Sequence, residues 1–168
     1  MNKKDQQFFM DSYSLEHTKR YSMYPVIHQE SVATHSYFVT LGVLMLSNYY
    51  AFDVDEAIKI AICHDLPEMK ISDVNHKVKK DFPAVSEALK LAEQEVILTL
   101  PHQVKNYCTL YGEDTPEALV VHYADALQCL QYAVNEIDLG NKGYMLKVHS
   151  DSLKRIKRIK AKLVKYGI

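Results

Sequence analysis

Asp53-Val54-Asp55-Glu56 places an aspartate three residues before a glutamate, the pattern of a capped helix start, and a nearly unbroken apolar run follows, Ala57-Ile58-Lys59-Ile60-Ala61-Ile62-Cys63. A helix that is apolar all round is normally central and buried. The run therefore predicts a helix at the centre of the fold. It ends on His64-Asp65, with Pro67 marking a break and Glu68 directly after it. An imidazole beside a carboxylate at the end of a buried helix is the feature with the most chemical content.

The remainder of the chain also reads as helices. Five glycines and five prolines in 168 residues leave few enforced turns. An opening helix is predicted from about Lys4 to His17, and Arg20 to Gln29 is irregular, because Pro25 disfavours helix at Tyr24. Ser31 caps a helix running to about Tyr50, with Val32, Val39, Val43 and Leu46 on its buried side. Asp73 to Phe82 is polar and basic, a loop with a short helix. Pro83 opens a helix that ends near Leu100-Pro101. Thr115-Pro116-Glu117 opens another, which carries Asp125 and stops near Gly140. Val148 to Lys165 is a final basic, amphipathic helix. No internal repeat, low-complexity segment or strand alternation interrupts the series. The expectation is an all-α chain, one compact helical domain over residues 1–168.

Composition narrows the function classes. A formal net charge of −1 creates no global field for nucleic acid or an anionic membrane. The longest apolar stretch, around Val39 to Leu46, is too short to span a bilayer. No long apolar segment follows Met1-Asn2-Lys3-Lys4, so no signal peptide is expected. Cys63, Cys108 and Cys129 are odd in number, widely spaced and form no CxxC, which argues against a disulfide framework or a thiolate zinc site. Reduced thiols fit a cytoplasmic setting.

Two more residues belong with His64 and Asp65. His35 lies in Glu30-Ser31-Val32-Ala33-Thr34-His35-Ser36, and Asp125 lies in Tyr123-Ala124-Asp125-Ala126-Leu127. Consecutive helical side chains point about 100° apart, so His64 and Asp65 reach one ion most easily where the helix loosens before Pro67. A buried aspartate costs several kcal/mol unless it is paired or binds metal. Two imidazoles and two carboxylates suit Mn, Fe, Co, Ni or Zn better than Ca. Each of these residues alone has an ordinary structural explanation. Together, with Glu68 one turn after His64, they point to metal-assisted hydrolysis.

The order Arg20-Tyr21, Glu30 to Ser36, Cys63-His64-Asp65-Leu66-Pro67-Glu68, Ser72-Asp73 and Ala124-Asp125-Ala126-Leu127 resembles the HD-domain phosphohydrolases. The closer resemblance is to the small 5′-deoxynucleotidase branch and to the related short phage dNTP (dATP) triphosphohydrolases. It covers roughly residues 15–145. Two positions depart from the usual pattern: Tyr21 stands where the family has Trp, and Thr34 replaces an acidic residue.

The resemblance implies that His35, His64, Asp65 and Asp125 hold one divalent metal per subunit, Mn, Co, Fe, Ni or Zn, with Mg a further candidate. The metal would lower the pKa of a water that attacks phosphorus. Glu68 would orient or deprotonate that water and protonate the leaving oxygen, with Asp73 as a second catalytic acid group. Arg20 would fork onto phosphate, and Tyr21 would pack on the sugar and exclude a 2′-hydroxyl. Met23 is grouped with these substrate contacts. Lys79 and His76 would meet a polyphosphate tail, whereas Lys77 and Lys80 read as solvated. His122, a turn before Asp125, either faces the same pocket or is a core histidine.

The leading expectation is a 5′-deoxynucleotidase acting on dNMPs; the alternative is a triphosphohydrolase releasing tripolyphosphate from dNTPs. A cyclic-nucleotide or alarmone hydrolase, or a non-catalytic nucleotide-binding regulator, ranks lower, since Arg20-Tyr21 and Glu68 are all present. The substrate is a small deoxynucleotide, and the resemblance favours a homo-oligomer, a dimer or higher. The cations of the last helix, Lys154, Arg155, Lys157, Arg158, Lys160, Lys162 and Lys165, read as a solvated face, with Leu153, Ile156, Ile159 and Leu163 turned inward or onto a partner subunit. The tyrosines at 107, 111, 123, 132 and 144 read as core or interface residues.

Overall fold

The computed structural model describes residues 1–168. It contains ten helices: α1 (Lys3–Ser12), α2 (Ser14–His17), α3 (Val32–Leu46), α4 (Val54–Cys63), α5 (Glu68–Ile71), α6 (His76–Asp81), α7 (Pro83–Thr99), α8 (His102–Leu110), α9 (Pro116–Asp138) and α10 (Gly143–Lys165). There is no sheet, only an isolated antiparallel bridge between Lys19 and Ser31. No helix is long and apolar enough to cross a membrane. The all-α class expected from the sequence is the one observed.

Local chemistry explains where the helices begin. Ser31, Asp53 and Thr115 each accept a backbone N–H from three residues on, and so satisfy donors that a helix start leaves free. Pro83 and Pro116 occupy first-turn positions where a missing N–H costs nothing. Gly140, at φ 104°, reverses the chain after α9 in a conformation that side chains resist.

Helix α9 is the axis of the molecule. It packs against α10, α3 and α4, and its Val120, Val121, Ala124 and Ala126 lie in one core with Val39, Val43, Ile60, Ala61 and Leu163. A second cluster joins Leu15, Val32, Cys63, Leu66, Leu100 and Cys108 around the end of α4. Gly42 lets α3 approach α9 closely, since a Cβ there would lie 3.2 Å from the Ala124 Cβ.

Several elements differ from the sequence reading. The opening helix breaks at Tyr13 into α1 and α2. Helix α4 is not buried all round: Ala57, Ile60, Ala61 and Cys63 are buried, whereas Ile62 is exposed. Apolar composition does not register that α4 has packing partners on one side only. Helix α10 starts at Gly143, five residues before the predicted Val148, and Leu153 is exposed while Ile159 and Leu163 are buried. Val32, Val39, Val43 and Leu46 of α3 are buried as their spacing requires.

Candidate metal and phosphate site

Helix α4 loosens into a turn over residues 64–67, and α5 begins at Glu68. This break lets neighbouring residues converge. His64 Nε2 lies 3.2 Å from Asp65 Oδ2 and 3.4 Å from His35 Nε2 on α3. His35 Nε2 is 3.5 Å from both Asp65 Oδ2 and Asp125 Oδ1, the latter on α9. His35, His64 and Asp125 are buried and Asp65 is half-buried. The ligand atoms of His35, His64 and Asp65 all fall within 4.8 Å of one another.

The outer hydrogen bonds fix both rings. Gln128 donates through Nε2 to Glu30 Oε1, a carboxylate oxygen, so its Oε1 is the atom that faces His35 Nδ1 at 2.7 Å. His35 Nδ1 is then the donor, and its Nε2 lone pair points into the cluster. His64 Nδ1 donates to the Ala61 carbonyl at 2.7 Å, which turns its Nε2 inward in the same way. Two imidazole nitrogens and the Asp65 carboxylate come together at one point, with Asp125 Oδ1 beside His35, and these donor types match a divalent transition metal.

Electrostatics favour a cation at this point. Burial, with Arg20 close by, pulls the His35 imidazole down to about 3, so it stays neutral. Burial also works against a charge on His64, but Asp65, Asp125 and the Ala61 carbonyl outweigh it and raise the group to about 9. A proton and a metal ion therefore compete for the same inward nitrogen. Asp65 and Asp125 ionise well below the usual carboxylate range despite burial, Asp65 through the two histidines and Asp125 through Arg155 first and then the histidines.

Glu68 and Asp73 share a cavity of ≈780 Å³ with His35, Asp65 and Asp125. Burial and the neighbouring Asp65 and Asp73 carboxylates push Glu68 up to about 8. Asp73 is also raised, chiefly by burial. Arg20 enters the same cavity from the segment between α2 and α3. Its Nη2 donates to the Cys129 sulfur at 3.4 Å, and its Nε lies 3.6 Å from Glu30 Oε2. Its Nη1 is buried without a partner, an orphaned cationic donor beside the carboxylate–imidazole cluster. Tyr21 sits at φ 55°, an unusual backbone for a bulky residue, and its ring stacks on Tyr132 with centroids 4.9 Å apart.

Lys79 and His76 line this cavity as expected, and Lys80, read as solvated, lines it too. Met23 is 66% exposed and lies outside the cavity lining. His122 packs on Tyr111, ring centroids 4.2 Å apart, and Tyr111 in turn donates to Asp125 Oδ2 at 3.2 Å. His122 thus backs the cluster instead of facing the cavity. Sequence reasoning missed Gln128, Tyr111 and Arg155, whose Nη2 donates to Asp125 Oδ2 at 2.6 Å. The one available signal was spacing: Gln128 is three residues, nearly one helical turn, after Asp125.

Comparison with known proteins gives a consistent picture. The family model described as 5′-deoxynucleotidase YfbR-like matches residues 7–168. A protein of Pyrococcus horikoshii shares 25% identity with a TM-score of 0.80, over 96% of this chain and 95% of that one. An HD-domain phosphohydrolase of Listeria innocua shares 22% identity with a TM-score of 0.74, over 96% and 84%. The HD phosphohydrolase of cyanophage S-2L, solved with dA and one catalytic Zn²⁺ ion, shares 17% identity with a TM-score of 0.68, over 94% and 92%. No curated protein matches.

Proposed function

The chain belongs to the YfbR-like 5′-deoxynucleotidase family and is a metal-dependent phosphohydrolase, and from that premise we propose that it hydrolyses deoxynucleoside 5′-monophosphates at the phosphorus–O5′ bond. The observation that carries this reading is that Arg20, whose Nη1 is a buried guanidinium nitrogen with no partner, lines the same cavity as His35, Asp65 and Asp125.

His35, His64, Asp65 and Asp125 would hold the ion, Zn²⁺, Mn²⁺, Co²⁺, Fe²⁺ or Ni²⁺ by their donor chemistry. When bound, the ion supplies Lewis acidity at phosphorus and makes a water more acidic. Arg20 binds the phosphate oxygens, because its fork geometry matches them and its free nitrogen has no protein acceptor. Glu68 takes a proton from the attacking water and returns it to O5′. A carboxyl raised to about 8 by burial and like charges is basic enough to exchange that proton near neutral pH. Asp73 keeps Glu68 in this range by repulsion. Tyr21 is held by its stack on Tyr132 and walls the sugar site, which would favour deoxyribose over ribose.

The chain acts as one domain in this reading. Tyr37, Phe38, Leu44 and Met45 are exposed on α3, which supports the homo-oligomer expected from the sequence; sedimentation velocity would test it.

Product analysis tests the catalytic proposal. Purified protein loaded with Mn²⁺ or Co²⁺ is expected to release inorganic phosphate from dNMPs, and more slowly from the matching ribonucleotides. Equal rates on both sugars would remove the role given to Tyr21. No turnover of any nucleotide with any of these metals would overturn the proposal.

A further inference from the structure

Glu30 is a buried carboxylate, 4% exposed, that lies outside the cavity lining. Burying a carboxylate is costly unless it is paired and hydrogen-bonded. Its place follows from the chain around it. Ser31 caps α3, so Glu30 stands directly before the helix that carries His35. The bridge between Lys19 and Ser31, with the Arg20 amide on the Glu30 carbonyl at 3.0 Å, sets Arg20 beside it.

The two oxygens of Glu30 serve different arms of the site. Oε1 accepts from Gln128 Nε2, and Gln128 Oε1 accepts from His35 Nδ1 at 2.7 Å. Oε2 lies 3.6 Å from Arg20 Nε. One carboxylate thus joins a metal-site histidine to the phosphate arm in a continuous line, His35–Gln128–Glu30–Arg20. Burial raises Glu30 above its ordinary 4.5, whereas Arg20 and Gln128 pull it down and favour the ionised form.

The Arg20 end of this line is slack. At 3.6 Å the Glu30–Arg20 contact is an ion pair and not a hydrogen bond. The two buried side-chain polar atoms that lack a partner in the molecule are Glu30 Oε2 and Arg20 Nη1, and both belong to this pair. Such atoms are rare enough in folded proteins to need a reason. A small swing of the guanidinium satisfies both: Nε closes on Glu30 Oε2 while Nη1 meets a phosphate oxygen in the cavity that Arg20 lines. The line is then hydrogen-bonded from end to end only when phosphate is bound.

We propose that Glu30 is a positioning residue that holds His35 and Arg20 in register with each other, one through each of its oxygens. This rests on the reading that Arg20 binds the phosphate. A carboxylate at position 30 accepts at both ends, whereas an amide there has one acceptor and one donor. The stronger bond is the one to the charged group, so the amide oxygen of Glu30→Gln turns to Arg20 and its NH₂ meets Gln128. Gln128 must then turn over and present its own NH₂ to His35 Nδ1. The imidazole proton moves to Nε2, the nitrogen that faces the ion site. Exchanging the two side chains repairs this. A carboxylate at position 128 accepts from His35 Nδ1 and from the amide at position 30, whose oxygen stays on Arg20.

The test titrates Co²⁺ into the parent, Glu30→Gln, Glu30→Leu and the exchanged variant Glu30→Gln/Gln128→Glu, and inorganic phosphate into each Co²⁺-saturated protein, by calorimetry. Glu30→Gln is expected to bind Co²⁺ about tenfold more weakly, the usual effect of disturbing a ligand's orienting partner, and phosphate within about threefold of the parent. The exchanged variant should recover Co²⁺ affinity to within about threefold. Glu30→Leu removes both acceptors and should weaken both ligands. A loss in phosphate alone for Glu30→Gln, equally recovered on exchange, would turn the amide the other way and sustain the line. Both affinities intact in Glu30→Gln, or a loss that the exchange leaves in place, would overturn it. Should the exchanged variant not fold, the other two decide: a loss of one ligand in Glu30→Gln and of both in Glu30→Leu sustains the line, and matching losses refute it. Phosphate release from dNMPs is measured beside the titrations. If no nucleotide is turned over, the nucleotidase reading fails, while the two affinities still decide the role of Glu30.

Discussion

His35 and His64 each commit one ring nitrogen to the protein and turn the other inward. For His35 the partner is a side chain, Gln128, itself held by Glu30. For His64 it is the backbone carbonyl of Ala61. The two should therefore respond differently to mutation. Gln128→Leu frees the His35 ring and leaves its Nδ1 without an acceptor. Metal affinity is expected to fall by about 10- to 100-fold, the usual effect of losing a ligand's orienting partner, while the circular dichroism spectrum stays helical; isothermal titration with Zn²⁺ measures it. His64→Ala should abolish metal binding and turnover together, whereas Glu68→Ala should keep the metal and lose turnover, as metal analysis and phosphate release will read. Retained turnover in the Glu68 variant would remove it as the proton carrier. At this scale the sequence was informative where the chemistry is local. His64-Asp65 is a contiguous pair closing an apolar run, and His35 and Asp125 stand out as polar residues among apolar neighbours. Gln128, Tyr111 and Arg155 carry no such contrast; each matters only because a distant residue lies against it.

The segment between α2 and α3 shows how an irregular element becomes a rigid one. Pro25 predicted its lack of helix, but not what holds it. The Arg20 amide bonds the Glu30 carbonyl and the Val32 amide bonds the Thr18 carbonyl, closing the segment into a loop. Glu136, buried on α9, accepts the amides of Ile27 and His28 at 2.8 and 2.6 Å, and Tyr132 donates to the His28 carbonyl at 2.7 Å. The loop carries Arg20 and Tyr21, so in the proposed mechanism α9 would aim the phosphate contact as well as supply a metal ligand. Burial opposes the Glu136 charge, but the two amides and Asn141 outweigh it and hold the carboxyl below its ordinary 4.5. A folded pKa below the unfolded one stabilises fully above that pH and is lost as pH falls through the lower folded value. Glu136→Gln is therefore expected to cost about 1–3 kcal/mol at pH 7, with the gap to the parent narrowing below pH 4.5; urea melts at several pH values check it, and a gap independent of pH would contradict the account. Gly42 is the second such element. Leucine there meets the Ala124 side chain at the α3–α9 contact and should cost about 1–3 kcal/mol by overpacking, with a loss of metal affinity, because His35 and Asp125 ride on the two separated helices; thermal melts and zinc titration of Gly42→Leu measure both. Caps were legible here, since Ser31, Asp53 and Thr115 act within their own turn. The extra turn of α10 before Val148 was not, because Gly143 and Tyr144 carry no start signal; instead the Tyr144 ring stacks on Tyr24 with centroids 3.5 Å apart.

Across the whole molecule the proposed ion site would work as a clamp. Its four side chains come from α3, the end of α4 and α9, and these helices enclose the main core. That core contains Val39, Val43, Ile60, Val120 and Val121 and none of the ligands. Burial of those side chains, at roughly 1.5–3 kcal/mol each, does not depend on the ion, so the helical fold should survive without it. The ion-free cluster is nonetheless uneasy, because ionised Asp65 and Asp125 are balanced by Arg155 and by a proton on His64. An ion that binds only the folded chain stabilises it by about 2.7 kcal/mol at a hundredfold excess over Kd. For a domain of this size each kcal/mol moves Tm by about 2–4 °C. Chelation is thus expected to lower Tm by roughly 5–10 °C with the far-ultraviolet spectrum of the cold protein unchanged. His64→Ala should melt at the same temperature with and without chelator, while Glu68→Ala should keep the full shift, since the proposed mechanism assigns its carboxylate to the water and not to the ion. Scanning calorimetry of the three proteins, each with and without chelator, separates these cases. A parent protein that loses its metal by elemental analysis yet keeps its Tm would mean that the helices are already locked by their core and that the ion serves catalysis alone.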